Sequence, residues 1–130
     1  MCEGVRIVGI GCDLCAVSRM ERAIGKAHFV ERVFQPGERT YMDGRGRARA
    51  QSAAAMFAAK EAAAKSLGTG FAQGVMPWTI EVVHAAQGAP QLLLHGEAQA
   101  RLTEIGGLRA HLSLSHEGDM AMAMVILEGE

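Results

Sequence analysis

Phe57-Ala-Ala-Lys60-Glu61-Ala-Ala-Ala-Lys65-Ser-Leu-Gly68-Thr69-Gly70 reads as an alanine-rich helix that carries one carboxylate and two lysines and stops at a glycine. Alanine, lysine and glutamate are among the strongest helix formers. Gly68 stands where a left-handed C′ residue ends a helix, and Gly70 follows. Residues three or four apart share a face, so Phe57, Glu61 and Lys65 form one stripe, with Lys60 about 100° round from Glu61. A carboxylate flanked by two cations suits a site for a metal and a phosphate. Taken alone, the spacing fits an ordinary i,i+4 ion pair better. Other segments have to decide.

Upstream, Val5-Arg-Ile-Val-Gly-Ile-Gly-Cys-Asp13 reads as a buried first strand. Gly9 and Gly11 alternate and so share a face, which invites close approach by another backbone or a ligand. Asp13 at the strand's end suits either a functional carboxylate or the N-cap of the next helix. That helix is expected from about Ala16 to about Phe29, with Arg19, Arg22 and Lys26 at i, i+3 and i+7. Such a basic stripe is a solvated face or a dock for an acidic helix. Pro36 opens a short helix running to Tyr41, and Arg45, Arg47 and Arg49 lead into the long helix that ends at Leu67.

Downstream the pattern changes. Thr79–His84 and Gln91–His95 read as a hairpin across the Gly88-Ala-Pro90 turn. Glu97–Ile105 is a short helix stopped by two glycines. Ala110–His116 alternates as a strand, Glu117-Gly118-Asp119 turns, and Met120–Leu127 returns with apolar residues on both faces, so it is central or lies in an interface. The expected class is α+β, a helical first half packed on a mainly antiparallel sheet, in one domain spanning residues 1–130. His116 stands at a strand end, where polar groups converge, although a lone strand histidine is more often structural.

The net charge of −1 hides a basic first half, +4 over residues 1–65, and an acidic second half, −5. This points to an acidic or phosphorylated partner. Nucleic acid is disfavoured, because aromatics are sparse and the chain as a whole is not basic. No apolar run approaches the ~20 residues of a membrane span, and no signal peptide is seen. Cys2, Cys12 and Cys15 are an odd number with no second metal-ligand pair, which suits reduced thiols in a cytoplasmic protein, a Cys12/Cys15 redox pair being the minor alternative.

Gly9-Ile-Gly11-Cys-Asp13, Phe57 to Gly70 and His111-Leu-Ser113-Leu-Ser115-His116 together resemble the holo-[acyl-carrier-protein] synthases, the small 4′-phosphopantetheinyl transferases. Phe29, Arg32, Phe34 and Glu38, with Thr79-Ile-Glu-Val, fit the same pattern over nearly the whole chain. The resemblance implies a trimer with sites shared between subunits. It also implies Mg²⁺-dependent transfer of phosphopantetheine from coenzyme A to a serine of apo acyl carrier protein, releasing adenosine 3′,5′-bisphosphate.

In that reading Asp13 and Glu61 are catalytic metal ligands, and Lys60 and Lys65 hold phosphate. Gly68, Gly88 and Pro90 contact coenzyme A. His116, from an adjacent subunit, contacts phosphate or handles a proton. Arg19, Arg22 and Lys26 dock the carrier. Ala89, Met56 and Thr79 depart from the residues common in relatives, which puts contacts to the nucleotide in question. Two other classes compete: a non-enzymatic module that binds an acidic helix, and a metal-dependent phosphohydrolase.

Overall fold

The computed structural model describes residues 4–130, so Cys2 lies outside the described residues. In chain order the elements are β1 (Arg6–Ala16), α1 (Val17–Ala23), α2 (Ala27–Val33), α3 (Pro36–Asp43), α4 (Arg49–Ser66), β2 (Ile80–His84), β3 (Pro90–Leu94), α5 (Gly96–Glu104), β4 (Gly107–Glu117) and β5 (Met120–Gly129). The strands form a three-stranded sheet ordered β1-β5-β4 and a separate β2-β3 hairpin, all antiparallel. The α+β expectation holds. Among the described residues no helix is long and apolar enough to cross a membrane.

Helix α4 is the axis of the molecule. It packs on β1 and β5 on one side and on α1, α3 and β2 on others. Ala50, Ala53, Ala54, Ala58, Ala59, Ala62, Ala63 and Ala64 are all buried. A helix enclosed on several sides needs small residues nearly all round, and alanine supplies them without losing helix propensity. The approach to β1 is closest at two glycines: a Cβ on Gly9 or Gly11 would strike the carbonyl oxygens of Ser66 and Ala62. Backbone cannot step aside as a side chain can. Gly11→Ala is therefore expected to cost about 1–3 kcal/mol of stability in a denaturant titration, because the overlap must lift α4 off the strand. The far end of α4 closes as expected: Gly68 takes φ 80°, its N–H bonds Lys65 O, and Thr69 N–H bonds Ala64 O, a Schellman cap.

Four expectations and the minor Cys12/Cys15 redox alternative need correction. The first strand is not buried: β1 is an edge strand, with Ile7 65%, Ile10 62% and Leu14 59% exposed. The helix expected from Ala16 to Phe29 is two helices, because Lys26 is extended (φ −104°, ψ 112°) and starts α2 afresh after Gly25. The break lets each half reach a different partner, α1 against α4 and α2 against the Pro77–Thr79 turn. Lys26 therefore does not continue the stripe made by Arg19 and Arg22 on α1. Asp13 lies inside β1, not at its end, and it is not the cap of α1: the N-cap is Ala16. Cys12 and Cys15 are three residues apart in an extended strand, one exposed and one buried. A rise of about 3.3 Å per residue separates their Cα atoms by about 10 Å, beyond the roughly 7 Å limit for a disulfide.

β5 is the central strand. One face, Ala121, Ala123, Val125 and Leu127, is fully buried against α4. On the other face Met120 and Met124 stand partly exposed beside Ile10 and Leu14 of β1, which are 62% and 59% exposed. The last strand is thus central and also borders an open apolar face.

Candidate active site

Asp13 pairs with Ala123 across the sheet and shares the α4-facing side of β1 with Gly9 and Gly11. The glycines bring α4 down onto the strand, which sets the Glu61 carboxyl within hydrogen-bonding reach of Asp13. Lys65, one turn further along α4, places Nζ 3.4 Å from Asp13 Oδ1 and donates to Cys12 O at 3.3 Å.

The two acids are forced apart in proton affinity. Burial, the hydrogen bond with Asp13 and the Asp13 charge push Glu61 up to about 7, against the pull of Lys65 and Arg19. Burial also acts to raise Asp13, but the bond from Glu61, the Leu14 N–H at 2.9 Å and Lys65 outweigh it, so its carboxyl lies below the ordinary value. Like charges this close do not both ionise freely. Asp13 Oδ2 is buried and accepts no fixed donor, so Asp13 gains a further partner only when Glu61 keeps a proton. An orphaned carboxylate oxygen beside a second carboxylate suits a hard divalent cation. Among the described residues no group of three or more His, Cys, Asp or Glu converges, so the fit is to an ion that keeps waters and shares a substrate oxygen, as Mg²⁺ does.

Lys60 is not part of this arrangement. It is fully buried, with Nζ bonded to Glu38 Oε1 at 2.8 Å, to Pro77 O at 2.9 Å and to Ile80 O. Glu38 in turn accepts Val82 N–H and Gln35 N–H, each at 2.8 Å. The expectation that Lys60 holds phosphate is corrected: 100° round from Glu61 is into the core. Burial pulls its ammonium pKa down and pushes Glu38 up, each opposed by the partner's charge.

A second group of polar residues lies elsewhere on the chain. A cleft of about 140 Å³ is lined by Tyr41, Arg45, Gln51, His84, Ser115 and His116 among others. Gln51 Nε2 lies 3.1 Å from His116 Nδ1, Tyr41 stacks on His84 at 3.7 Å, and the Arg45 guanidinium lies 5.5 Å from the centre of the Tyr41 ring. Gln51, Tyr41 and His84 carry this cleft, and none of the three stands out in the sequence as a site residue. Only the helical spacing of Gln51 on α4 and the nearness of Tyr41 to the arginine cluster hinted at it. Gly88 and Pro90 lie in the hairpin whose β3 strand packs beside β4.

His116 and this hairpin are therefore at the β4 side of the sheet, whereas Asp13 is on β1. Two strand spacings separate those edges, about 10 Å, and Gln51 to Glu61 spans about 15 Å along α4. One copy does not bring His116, Gly88 or Pro90 to the carboxylates. Thr79 closes its own turn, donating to Met76 O at 2.7 Å, Met56 is buried, and Ala89 is exposed. Arg19 and Arg22 are exposed on α1, with the Arg19 charge reaching Glu61.

Residues 9–125 match the model of the 4′-phosphopantetheinyl transferase superfamily. The holo-[acyl-carrier-protein] synthase of Methylobacterium sp. (strain 4-46) is 50% identical over 128 residues, 94% of each chain. The crystal structure of holo-[acyl-carrier-protein] synthase from Neisseria meningitidis matches with TM-score 0.81 at 36% identity, covering 94% of this chain and 98% of that one. The Bacillus anthracis holo-(acyl-carrier-protein) synthase in complex with CoA (3′,5′-ADP) matches with TM-score 0.79 at 34% identity, covering 95% and 98%. Sequence and fold agree: this chain belongs to the 4′-phosphopantetheinyl transferase superfamily.

Proposed function

We propose that this chain is a holo-[acyl-carrier-protein] synthase, acting as one transferase domain in the cytoplasm. It moves 4′-phosphopantetheine from coenzyme A to a serine of apo acyl carrier protein. The observation that carries this is the Asp13–Glu61 pair: an orphaned oxygen, a split proton affinity and Lys65 alongside, in a chain of this family. Asp13 and Glu61 would hold Mg²⁺, which supplies positive charge to the pyrophosphate oxygens when bound. Lys65 adds a mobile point charge for a phosphate oxygen. The serine oxygen bonds the β-phosphorus as its proton passes to water, and the bond from that phosphorus to the bridging oxygen breaks, leaving the oxygen and its electron pair on the departing adenosine 3′,5′-bisphosphate. Chemistry of this kind depends on positioning and charge more than on covalent help.

The separation of His116 and the hairpin from the carboxylates supports a site completed by a second copy. The exposed apolar face of Ile7, Ile10, Leu14, Met120 and Met124 offers the contact. We assign three copies per assembly. His116 with Arg45 is assigned to the nucleotide's phosphates, Gly68 on one side and Gly88 and Pro90 on the other to coenzyme A, and Arg19 and Arg22, with Lys26 beyond them, to the acidic carrier.

A pH dependence follows. Glu61 binds its proton more tightly folded (about 7) than at its ordinary value of 4.5. Its contribution to stability is therefore complete below 4.5 and is lost as the pH rises through about 7. Thermal melts in chelator should fall across that window, Glu61→Gln should flatten the fall, and added Mg²⁺ should restore the wild-type melting temperature at pH 8. The functional test is release of adenosine 3′,5′-bisphosphate with and without apo carrier. Release is expected only with the carrier and Mg²⁺. Release without the carrier would make the protein a phosphohydrolase, and carrier binding with no release would make it a binding module.

A further inference from the structure

Helix α1 has a start that its own sequence does not provide for. The N-cap is Ala16, no side chain caps it, and its first turn holds no acidic residue. The free N–H groups of a first helical turn need acceptors. Here they come from Asp119, 101 residues beyond Ser18: Asp119 O accepts Val17 N–H at 2.7 Å, Asp119 Oδ1 accepts Ser18 N–H at 2.9 Å, and Ser18 Oγ donates to Asp119 Oδ2 at 2.6 Å. The carboxylate also sits at the positive end of the helix dipole.

Asp119 is itself placed by the sheet. It occupies the two-residue turn between β4 and β5, where Gly118 at φ 57° takes the positive φ that a II′ hairpin turn places first. β5 is the central strand, and Met120, next to Asp119, pairs with both Ala16 and Glu117. α1 is only seven residues long and buries Met20 alone. Helices this short do not hold themselves in water. The sheet's turn therefore fixes the direction in which Arg19 and Arg22 point.

We propose that Asp119 is a positioning residue for carrier recognition, holding α1 so that Arg19 and Arg22 meet the acidic carrier in one pose. This rests on the assignment of the carrier to α1. Without the Asp119 carboxylate Ser18 loses both its bonds, the start of α1 frays, and the carrier binds only the fraction of molecules with the helix in place, so the apparent affinity falls by that fraction.

The test is steady-state kinetics with apo carrier and coenzyme A varied separately. Asp119→Ala should raise the carrier KM about fivefold, the effect of losing a helix cap, with kcat and the coenzyme A KM unchanged. Asp119→Asn, which keeps an acceptor oxygen but loses the charge, should fall between. A lowered melting temperature and kcat with an unchanged carrier KM would show a merely structural role and overturn the proposal. Arg19→Ala run in parallel separates the two ideas. If Arg19→Ala raises the carrier KM and Asp119→Ala does not, the positioning role fails alone. If neither does, the docking assignment and the proposal fall together.

Discussion

Asp13→Ala and Glu61→Ala should each lower kcat/KM by about a thousandfold or more while the circular dichroism spectrum stays that of the wild type. Loss of a single preorganised charge-stabilising group costs about 10²–10³-fold in other enzymes. Asp13 and Glu61 are the only acidic residues on β1 and α4, so each is half of the pair proposed to hold Mg²⁺. The fold should survive because neither acid is part of the buried core, and each substitution removes one of two mutually repelling carboxyls. In chelator at pH 8, Glu61→Gln should melt higher than the wild type, since Glu61 is held at about 7 by burial and by Asp13. A site that is destabilising when empty and indispensable when filled is the expected stability–activity trade-off. Retention of most of the activity in either alanine variant would remove the metal site from the account.

The second large effect is on stability. Lys60→Met should lower stability by about 3–5 kcal/mol, because Glu38 is left as a buried charge without its partner. For a chain of this length that is a fall in melting temperature of more than about 10 °C. The double variant Lys60→Met/Glu38→Gln should recover a large part of the loss. The ammonium bridges α4, the Pro77 and Ile80 carbonyls and, through Glu38, the N–H of Val82 on β2 and of Gln35 before α3. A single variant that melted like the wild type would mean the ammonium is not holding these segments.

What could be read from sequence was what repeats locally. The glycines of β1, the alanines and closing glycine of α4, the β2–β3 hairpin and the central last strand were all legible, since each depends on a period or a turn within a few residues. What failed were depths and distant partners. Helical spacing gives the angle of Lys60 but not whether core or solvent lies there, and a helix enclosed on several sides has no polar face to reveal it. Asp13 was placed near enough to the right position, yet whether it caps α1 depended on where β1 stopped. The true cap, Asp119, is 101 residues on and carries no local sign. The break after Gly25 reflects two different partners for α1 and α2, which no window along the chain contains. The segments of the proposed site were legible as motifs, whereas their separation into a β1 side and a β4 side follows from strand order alone.

The central claim is transfer of a group to the carrier, and intact-mass measurement of the carrier tests it most directly. With this protein, coenzyme A and Mg²⁺, apo acyl carrier protein should gain about 340 Da, the mass of a phosphopantetheine group on serine. The gain should be absent with chelator or with Asp13→Ala. An unchanged carrier mass across several apo carriers, with folded protein and Mg²⁺ present, would contradict it.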